Sequence, residues 1–253
     1  MKKQSRLVAG FTLAEILVVL AIVTVLAALL FPVFARVREN GRSTQCVSNL
    51  KQIYLAWQMY TEDSDGRVMP TSIKNGENIQ TWTGDTFTDT PGVGALQPWL
   101  KVDKLRCPSW EVTEFTADQH DSVQGYGYNV STFPGQSLSQ SRPLPLVSAI
   151  EKPSQMFVFA DAAHILNYPG DKPSLMGAYT IAAPAAGRPN FHGRHSGWGN
   201  VVWADGHIKA MQPMYMTARR KPISLQRSFQ VGFLDRDGKN TTNEFFDLNP
   251  DAG

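Results

Sequence analysis

GFTLAEILVVLAIVTVLAALLFPVFA, residues 10–35, decides how the rest of the chain is read. Gly10 is followed by Phe11, Thr12, Leu13, Ala14 and Glu15, and then by an uncharged, strongly apolar run over residues 16–35. As a helix rising about 1.5 Å per residue, a run of this length reaches about 30 Å, the thickness of a bilayer's hydrocarbon core. It therefore predicts a membrane-spanning helix that anchors the chain near its N-terminus. Lys2, Lys3 and Arg6 form a short basic leader in front of it. Glu15 is the oddity, because a carboxylate at the start of a span costs roughly 2 to 4 kcal/mol unless something pairs with it.

Gly10, Phe11, Thr12, Leu13 and Glu15, followed by an apolar helix, resemble the N-terminal signal of type IV prepilins and type II secretion pseudopilins. The resemblance implies that a membrane-embedded prepilin peptidase cuts between Gly10 and Phe11 and that the new amino terminus, on Phe11, is methylated. Glu15 would then be the fifth residue of the mature chain and pair with the N-terminal amine of a neighbouring subunit. Such a pair in low dielectric offsets two buried charges and penalises the loss of either partner, so Glu15 would set register in assembly. Pro32 also fits the family pattern, as a site for a kink or a melted turn.

Other readings of the segment are weaker. A secretory signal has an apolar region of roughly 7 to 15 residues and a small-residue cleavage site. Here the run is longer, and Val33 and Phe34 spoil the site at Ala35. A lipoprotein would need a cysteine close behind the run, whereas the first is Cys46. A plain signal anchor would make Glu15 incidental. Arg36, Arg38 and Arg42 follow the span almost as densely as the leader precedes it, so charge bias does not settle topology. The resemblance implies a single-pass protein of the inner (cytoplasmic) membrane, with its leader in the cytoplasm and residues beyond the span outside.

The formal charge is +2, and removal of the leader takes away Lys2, Lys3 and Arg6, leaving 2 − 3 = −1. Clustered basic residues of the kind that mark a nucleic-acid footprint are not evident. Past the span, Cys46, Leu50, Ile53, Tyr54, Trp57 and Tyr60 recur at helical spacing and form one apolar stripe, and Asp63-Ser64-Asp65-Gly66 is a strong stop. Asn40-Gly41 is a place where the helix loosens. The expected organisation is a leader over 1–10, a transmembrane and assembly helix over 11–35, its amphipathic continuation over 36–62 and an extracytoplasmic β-rich domain over 63–253. This is an α+β fold of pilin-like type, a long helix packed on a loop-rich antiparallel β domain. Residues 156–160 read as a buried strand, while 134–145 and 182–187 read as surface loops.

Residues 200–211 carry two β-prone runs around Asp205-Gly206, a pair suited to a tight hairpin turn with positive φ. His195, Asp205 and Gly206 match the His-x9-Asp-Gly signature of a group of prepilin-like proteins. Residues 46–53, 106–109 and 126–129 are similar to that group as well. For the signature itself two readings stand. His192, His195, Asp205 and His207 offer metal ligands if the loop folds over the hairpin, or Asp205-Gly206 is only the turn and His195 bonds a strand end. Asp161 and His164 are weaker candidates. Asp235, Asp237 and Asn240 offer oxygen ligands for calcium, although the spacing is not that of an EF-hand and a solvated turn fits better. No other cofactor is expected.

Cys46 and Cys107 are the only cysteines. In the topology that the resemblance implies they would lie in a disulfide-permissive compartment, and a bridge would staple helix to β domain; two free thiols are the alternative. Motifs of serine hydrolases, zinc proteases and phosphate loops do not occur. Trp82, Trp99, Trp110, Trp198 and Trp203 would suit either core packing or a sugar platform. The chain is expected to be non-enzymatic, a subunit of a type IV pilus-like filament or a type II secretion pseudopilus. Its implied partners are prepilin peptidase, further copies of itself, other pilin-like subunits, an inner-membrane assembly platform and a cytoplasmic ATPase. The second reading is a membrane-anchored cell-surface binding protein, with carbohydrate as a candidate ligand, that reuses the signal as an anchor; a metal-dependent enzyme built on His195 and Asp205 is the third.

Overall fold

A computed structural model describes residues 12–75, 78–84, 94–100, 105–110, 125–133, 135–137, 143–167, 172–218, 221–236, 238, 245–246 and 248. The chain divides into two compact units between Gly41 and Arg42. Gly10 and Phe11 lie outside the described residues, as do Asp237 and Asn240.

One helix, α1, runs over Leu13–Asp63. Its start is a capping box, Thr12-Leu13-Ala14-Glu15. Glu15 Oε2 accepts hydrogen bonds from the Thr12 backbone N–H and hydroxyl, both at 2.8 Å, and Thr12 Oγ1 accepts one from the Glu15 N–H at 3.3 Å. The first turn of a helix has unpaired N–H donors and a partial positive charge, and Thr12 and Glu15 answer both. Residues 12–38 are exposed, including Leu13, Phe31 and Phe34, so the uncharged apolar run over residues 16–35 is covered by none of the described residues. It is long and apolar enough to cross a membrane. Of the kink or melted turn expected at Pro32, no melted turn occurs, and Asn40-Gly41 stays helical too. Proline costs one backbone hydrogen bond and a clash with the preceding turn, yet the helix continues through it with Phe31, Val33 and Phe34 as neighbours.

Within the second unit, the stripe on α1 is buried at Cys46, Asn49, Leu50, Ile53, Tyr54, Ala56, Trp57 and Thr61, while Lys51 and Glu62 face solvent. The helix stops at a left-handed pair, Asp65 (φ 54) and Gly66 (φ 75), and the Gly66 N–H bonds back to Thr61 O at 2.8 Å.

The stripe packs on a five-stranded sheet whose members are β3 (Tyr126–Asn129), β5 (Phe157–Asp161), β8 (Thr180–Ile181), β10 (Gly199–Trp203) and β11 (Ile208–Met211). Its order is β11-β10-β5-β3-β8. Every pairing is antiparallel except β3 with β8, which is parallel, so the sheet is mixed at one edge. Alternation along β10 sorts the two faces. Val202 and the following Ala204 join Leu50, Ile53 and Trp57 in one core, whereas Val201 and Trp203 join Phe157, Phe191, Phe245 and Phe246 in a second core on the opposite face. Smaller pairings surround this sheet. β1 (Ser72–Asn75) lies between β2 (Asn78–Thr81) and β4 (Gln136–Ser137), β6 (Ala163–Leu166) pairs with β7 (Ser174–Gly177), and β9 (Phe191–His192) pairs with β12 (Val231–Gly232). A short helix, α2 (Ile223–Phe229), precedes β12.

The strand expected over 156–160 is β5, and the runs around Asp205-Gly206 are β10 and β11. Residues 182–187 are not the surface loop expected from their small side chains: Ala182, Ala183 and Pro184 are buried, and only Ala185 and Ala186 are exposed. Small size permits close packing as readily as exposure, and the backbone there is satisfied internally. Ser131 Oγ accepts the Ala183 N–H at 2.8 Å, and Asn190 Nδ2 donates to Thr180 O at 3.1 Å.

Gly127 shows how tightly the sheet centre is filled. A Cβ there would lie 2.7 Å from Ala162 Cβ and 2.8 Å from Ile181 Cγ1. Gly127→Ala is expected to destabilise the second unit by about 1–3 kcal/mol through overpacking, read from the urea midpoint of the detergent-solubilised full-length protein.

Candidate functional site

Cys46, on the buried stripe of α1, is joined to Cys107 by a disulfide with a Cα–Cα distance of 5.2 Å across 61 positions of sequence. In the chain-entropy model a loop of that size is worth about 4 kcal/mol. His195 stands against this bridge, its Nε2 3.6 Å from Cys107 Sγ, and the same nitrogen lies 3.5 Å from Asp161 Oδ2 at the end of β5. All four residues are buried, Asp161 completely.

His195 reaches this place through a tight turn. Ser196 (φ 54) and Gly197 (φ 90) are both left-handed, and His195 and Trp198 exchange N–H to O bonds of 2.9 and 3.1 Å across them. Positive φ at both central residues is what a type I′ turn requires. The turn feeds directly into β10, whose second residue, Asn200, donates its backbone N–H to Asp161 Oδ2 at 2.7 Å.

Arg194 brings the compensating charge. Its guanidinium stacks on Trp110 at 4.6 Å and donates from Nη2 to Ala162 O at 2.6 Å. Burial pushes the Asp161 carboxyl above the usual carboxylate range, and the Arg194 and His195 charges, with the Asn200 N–H, pull it back. Burial likewise lowers the Arg194 guanidinium, opposed by Asp161 and Tyr126. Asn49 completes the cluster from the helix side, donating from Nδ2 to Arg106 O and to Tyr126 Oη, each at 3.1 Å.

The Asp205-Gly206 half of the signature lies at the tip of the β10–β11 hairpin and does a different job. The Gly206 N–H bonds to Trp203 O at 2.8 Å and the Trp203 N–H to His207 O at 3.0 Å, with positive φ confined to Gly206 (85°). The tight hairpin turn with positive φ expected at Asp205-Gly206 is thus a three-residue loop closed by a glycine bulge. The tip rests on α1. Tyr54 Oη donates to Ala204 O at 2.8 Å, and Lys51 Nζ donates to Gly206 O at 3.1 Å. A Cβ on Gly206 would stand 2.6 Å from Tyr54 Cε1, so glycine is needed for space as well as for φ. Asp205 Oδ1 accepts the His207 N–H at 3.1 Å and sits 2.6 Å from His207 Nδ1, and the His207 ring stacks on Trp203.

The signature therefore fastens β10 to the helix at both of its ends, through His195 to the disulfide and through Gly206 to Tyr54. His192, His195, Asp205 and His207 do not form a joint ligand set among the described residues: His207 and Asp205 share the hairpin tip, while His192 packs on Trp110 from β9. His195 keeps company with Cys46 and Cys107 instead. Asp161, weak on sequence, is His195's partner. Arg194 and Asn49 were missed; Asn49 falls on the helical stripe, which is a usable signal, and Arg194 has none beyond adjacency to His195. Asp235 Oδ2 accepts the Gly238 N–H at 2.7 Å, a local turn, and Asp237 and Asn240 lie outside the described residues. Trp57, Trp82, Trp110 and Trp203 are buried and Trp99 is half-buried, leaving Trp198 at 45% exposure; core packing is the use made of most of them.

Residues 5–31 match the family model of the prokaryotic N-terminal methylation motif. Over 56 residues, 22% of this chain and 26% of the relative, the sequence is 34% identical to the "Type IV major pilin protein PilA" of Myxococcus xanthus (strain DK1622). The chain thus spans about a quarter of the length of the curated relative it matches. No solved structure matches.

Two outcomes follow from this geometry. Gly206→Ala combines left-handed strain with the Tyr54 clash and is expected to cost about 2–4 kcal/mol, against about 1 kcal/mol for Gly187→Ala, where φ is +63° and a Cβ meets nothing within 4 Å; urea titration of both variants checks the ratio. On β6, burial and the charges of Lys221 and Arg188 push the His164 imidazole from 6.5 down to about 4. A lowered folded value means that its contribution is complete above pH 6.5 and is lost as pH falls towards about 4. His164→Gln should flatten the slope of stability against pH across that window, measured by urea midpoints at several pH values.

Proposed function

We propose that this type IV prepilin-like chain is a structural, non-enzymatic subunit of a type IV pilus-like filament or type II secretion pseudopilus. The observation that carries this is the N-terminal segment itself. A helix exposed over residues 12–38, uncharged and apolar over residues 16–35 and opened by the Thr12/Glu15 capping box, overlaps residues 5–31, which match the methylation motif. Such a helix has two suitable environments, lipid and the helices of other copies, and a subunit that moves from membrane to filament uses both in turn. In this reading prepilin peptidase removes residues 1–10 after Gly10 and Phe11 carries the methylated amine. The span leaves the remainder of the chain on the far side of the inner membrane. An assembly platform and other pilin-like subunits receive the processed chain.

Glu15 has two roles open to it in this scheme. The capping box uses Thr12 and Glu15 only, so it survives a cut after Gly10 and gives the carboxylate a partner inside its own chain. A second role, pairing with the amine of a neighbouring Phe11, needs the negative charge. Glutamine keeps the capping acceptor and removes the charge, so Glu15→Gln separates them.

Wild type is expected in sheared, sedimented filaments with its leader removed. Glu15→Ala and Glu15→Gln should both be cleaved yet fall out of the filament by at least about tenfold. Incorporation of Glu15→Gln at the wild-type level would leave capping as the residue's role, and absence of processed wild-type protein from every filament preparation would overturn the subunit reading.

A further inference from the structure

Trp198 is the exception among the tryptophans. It is 45% exposed, whereas Trp57, Trp82, Trp110 and Trp203 are buried and Trp99 is half-buried. The exposure is set by the backbone beneath it. Ser196 is held at φ 54, a conformation that a non-glycine residue keeps only where its surroundings impose it. The Gly197 N–H donates to Gly193 O at 3.0 Å and the Gly193 N–H to Gln230 O at 2.8 Å, while a Cβ on Gly193 would stand 2.9 Å from Pro213 Cγ. The turn that presents Trp198 is therefore packed from below.

Its place along α1 is fixed by two contacts. Asn200 lies beside Ser43, with Nδ2 3.5 Å from Oγ, and Gly206 at the other end of β10 accepts from Lys51, so strand and helix run in the same direction. Going back from Asn200 to Trp198 leads towards lower-numbered helix residues by about 7 Å of extended chain. Ser43 is eight residues beyond Ala35, the last of the apolar run, a distance that a helix covers in about 12 Å. With that run filling the hydrocarbon core, the Trp198 backbone stands about 5 Å from the core's edge, and the headgroup layer is about 5–7 Å deep on each side.

We propose that this end of the second unit is a membrane-contact surface, on which Trp198 enters the headgroup layer of an anionic leaflet while Arg42 and Arg227 meet lipid phosphates beside it. The proposal rests on the preceding reading in one respect, that the span lies in the bilayer. An indole ring with one polar edge is suited to that layer, and a guanidinium to a phosphate. The charge is of the right sign. Residues 172–234 hold eight Lys and Arg and a single carboxylate, Asp205, so 8 − 1 = +7, and Asp205 is at the far tip of the hairpin. Arg227 is exposed on α2, its guanidinium 5.8 Å over the Tyr215 ring, three residues before the Gln230 that holds Gly193. Docked in this way the unit rests against the leaflet until assembly withdraws the span, and Trp198 then leaves the lipid.

The test reconstitutes the full-length protein in vesicles of phosphatidylcholine and phosphatidylglycerol and measures quenching of tryptophan emission by lipids brominated near the head or near the end of their acyl chains. Quenching by the head-proximal label should exceed that by the deep label, fall at least about threefold in Trp198→Phe, and weaken when phosphatidylglycerol is left out. Trp99 is the internal control. Its Nε1 donates to Asp63 Oδ2 at 3.2 Å, about 30 Å further along α1 than Ser43, so Trp99→Phe should leave the quenching unchanged. Release of the protein from the vesicles by alkaline carbonate would overturn the span reading and this proposal with it. Protein that stays with the vesicles but is quenched equally in wild type and Trp198→Phe would overturn the lipid contact alone. So would quenching of Trp198 that disappears as the protein-to-lipid ratio rises, the mark of a second copy covering this face.

Discussion

The apolar stripe of α1 over residues 46–61 has to leave water, and most of the second unit is arranged around that requirement. Leu50, Ile53 and Trp57 cover one face of a five-stranded sheet, and full burial of such side chains is worth about 1.5–3 kcal/mol each. Apolar contact alone leaves a helix free to slide and rotate on a sheet. Polar groups within the stripe remove that freedom: Trp57 Nε1 donates to Tyr128 Oη, Tyr128 Oη donates to Met69 O, and Tyr54 Oη donates to Ala204 O, at 3.0, 2.8 and 2.8 Å. Each buried donor has one acceptor at the right distance, so a shifted register would strand several at once.

The His-x9-Asp-Gly signature belongs to the same scheme. Nine residues separate its histidine from its aspartate because β10 lies between them. One end delivers His195 to the disulfide and Asp161; the other places Gly206 beneath the Tyr54 ring. The motif reads as a fastening between strand and helix, with its histidine end set against the disulfide and Asp161.

Glu15 illustrates how a residue recognised for one role can hold another. A charge at the head of an apolar helix demands a partner, and a neighbouring subunit is one answer. Thr12 is a nearer one, three residues away, and a Thr-x-x-Glu spacing ahead of an apolar run is itself a helix-start signal. The capping box is thus legible in the Thr12-x-x-Glu15 spacing, alongside the cost of the charge. The His195-Ser196-Gly197-Trp198 turn is similar, since a Ser-Gly pair at the mouth of a strand is a hairpin cue that Asp205-Gly206 outshone.

By itself the sequence determined the long helix, its lipid-compatible first part, the stripe on its second part, and the strands β5, β10 and β11. These rest on periods of 3.6 and 2 and on turn chemistry, which act between near neighbours in the chain. The tertiary structure alone decided that Asp161 meets His195, that Arg194 stacks on Trp110 beside them, that β8 joins the sheet in parallel, and that Ala182–Pro184 are inside. Those outcomes depend on which distant segment supplies the covering surface or the compensating charge, and no local period records that. The cysteines stand between the two cases: their number made the bridge conceivable, and only the packing of the helix on the sheet brought Cys46 to Cys107 with His195 at the join.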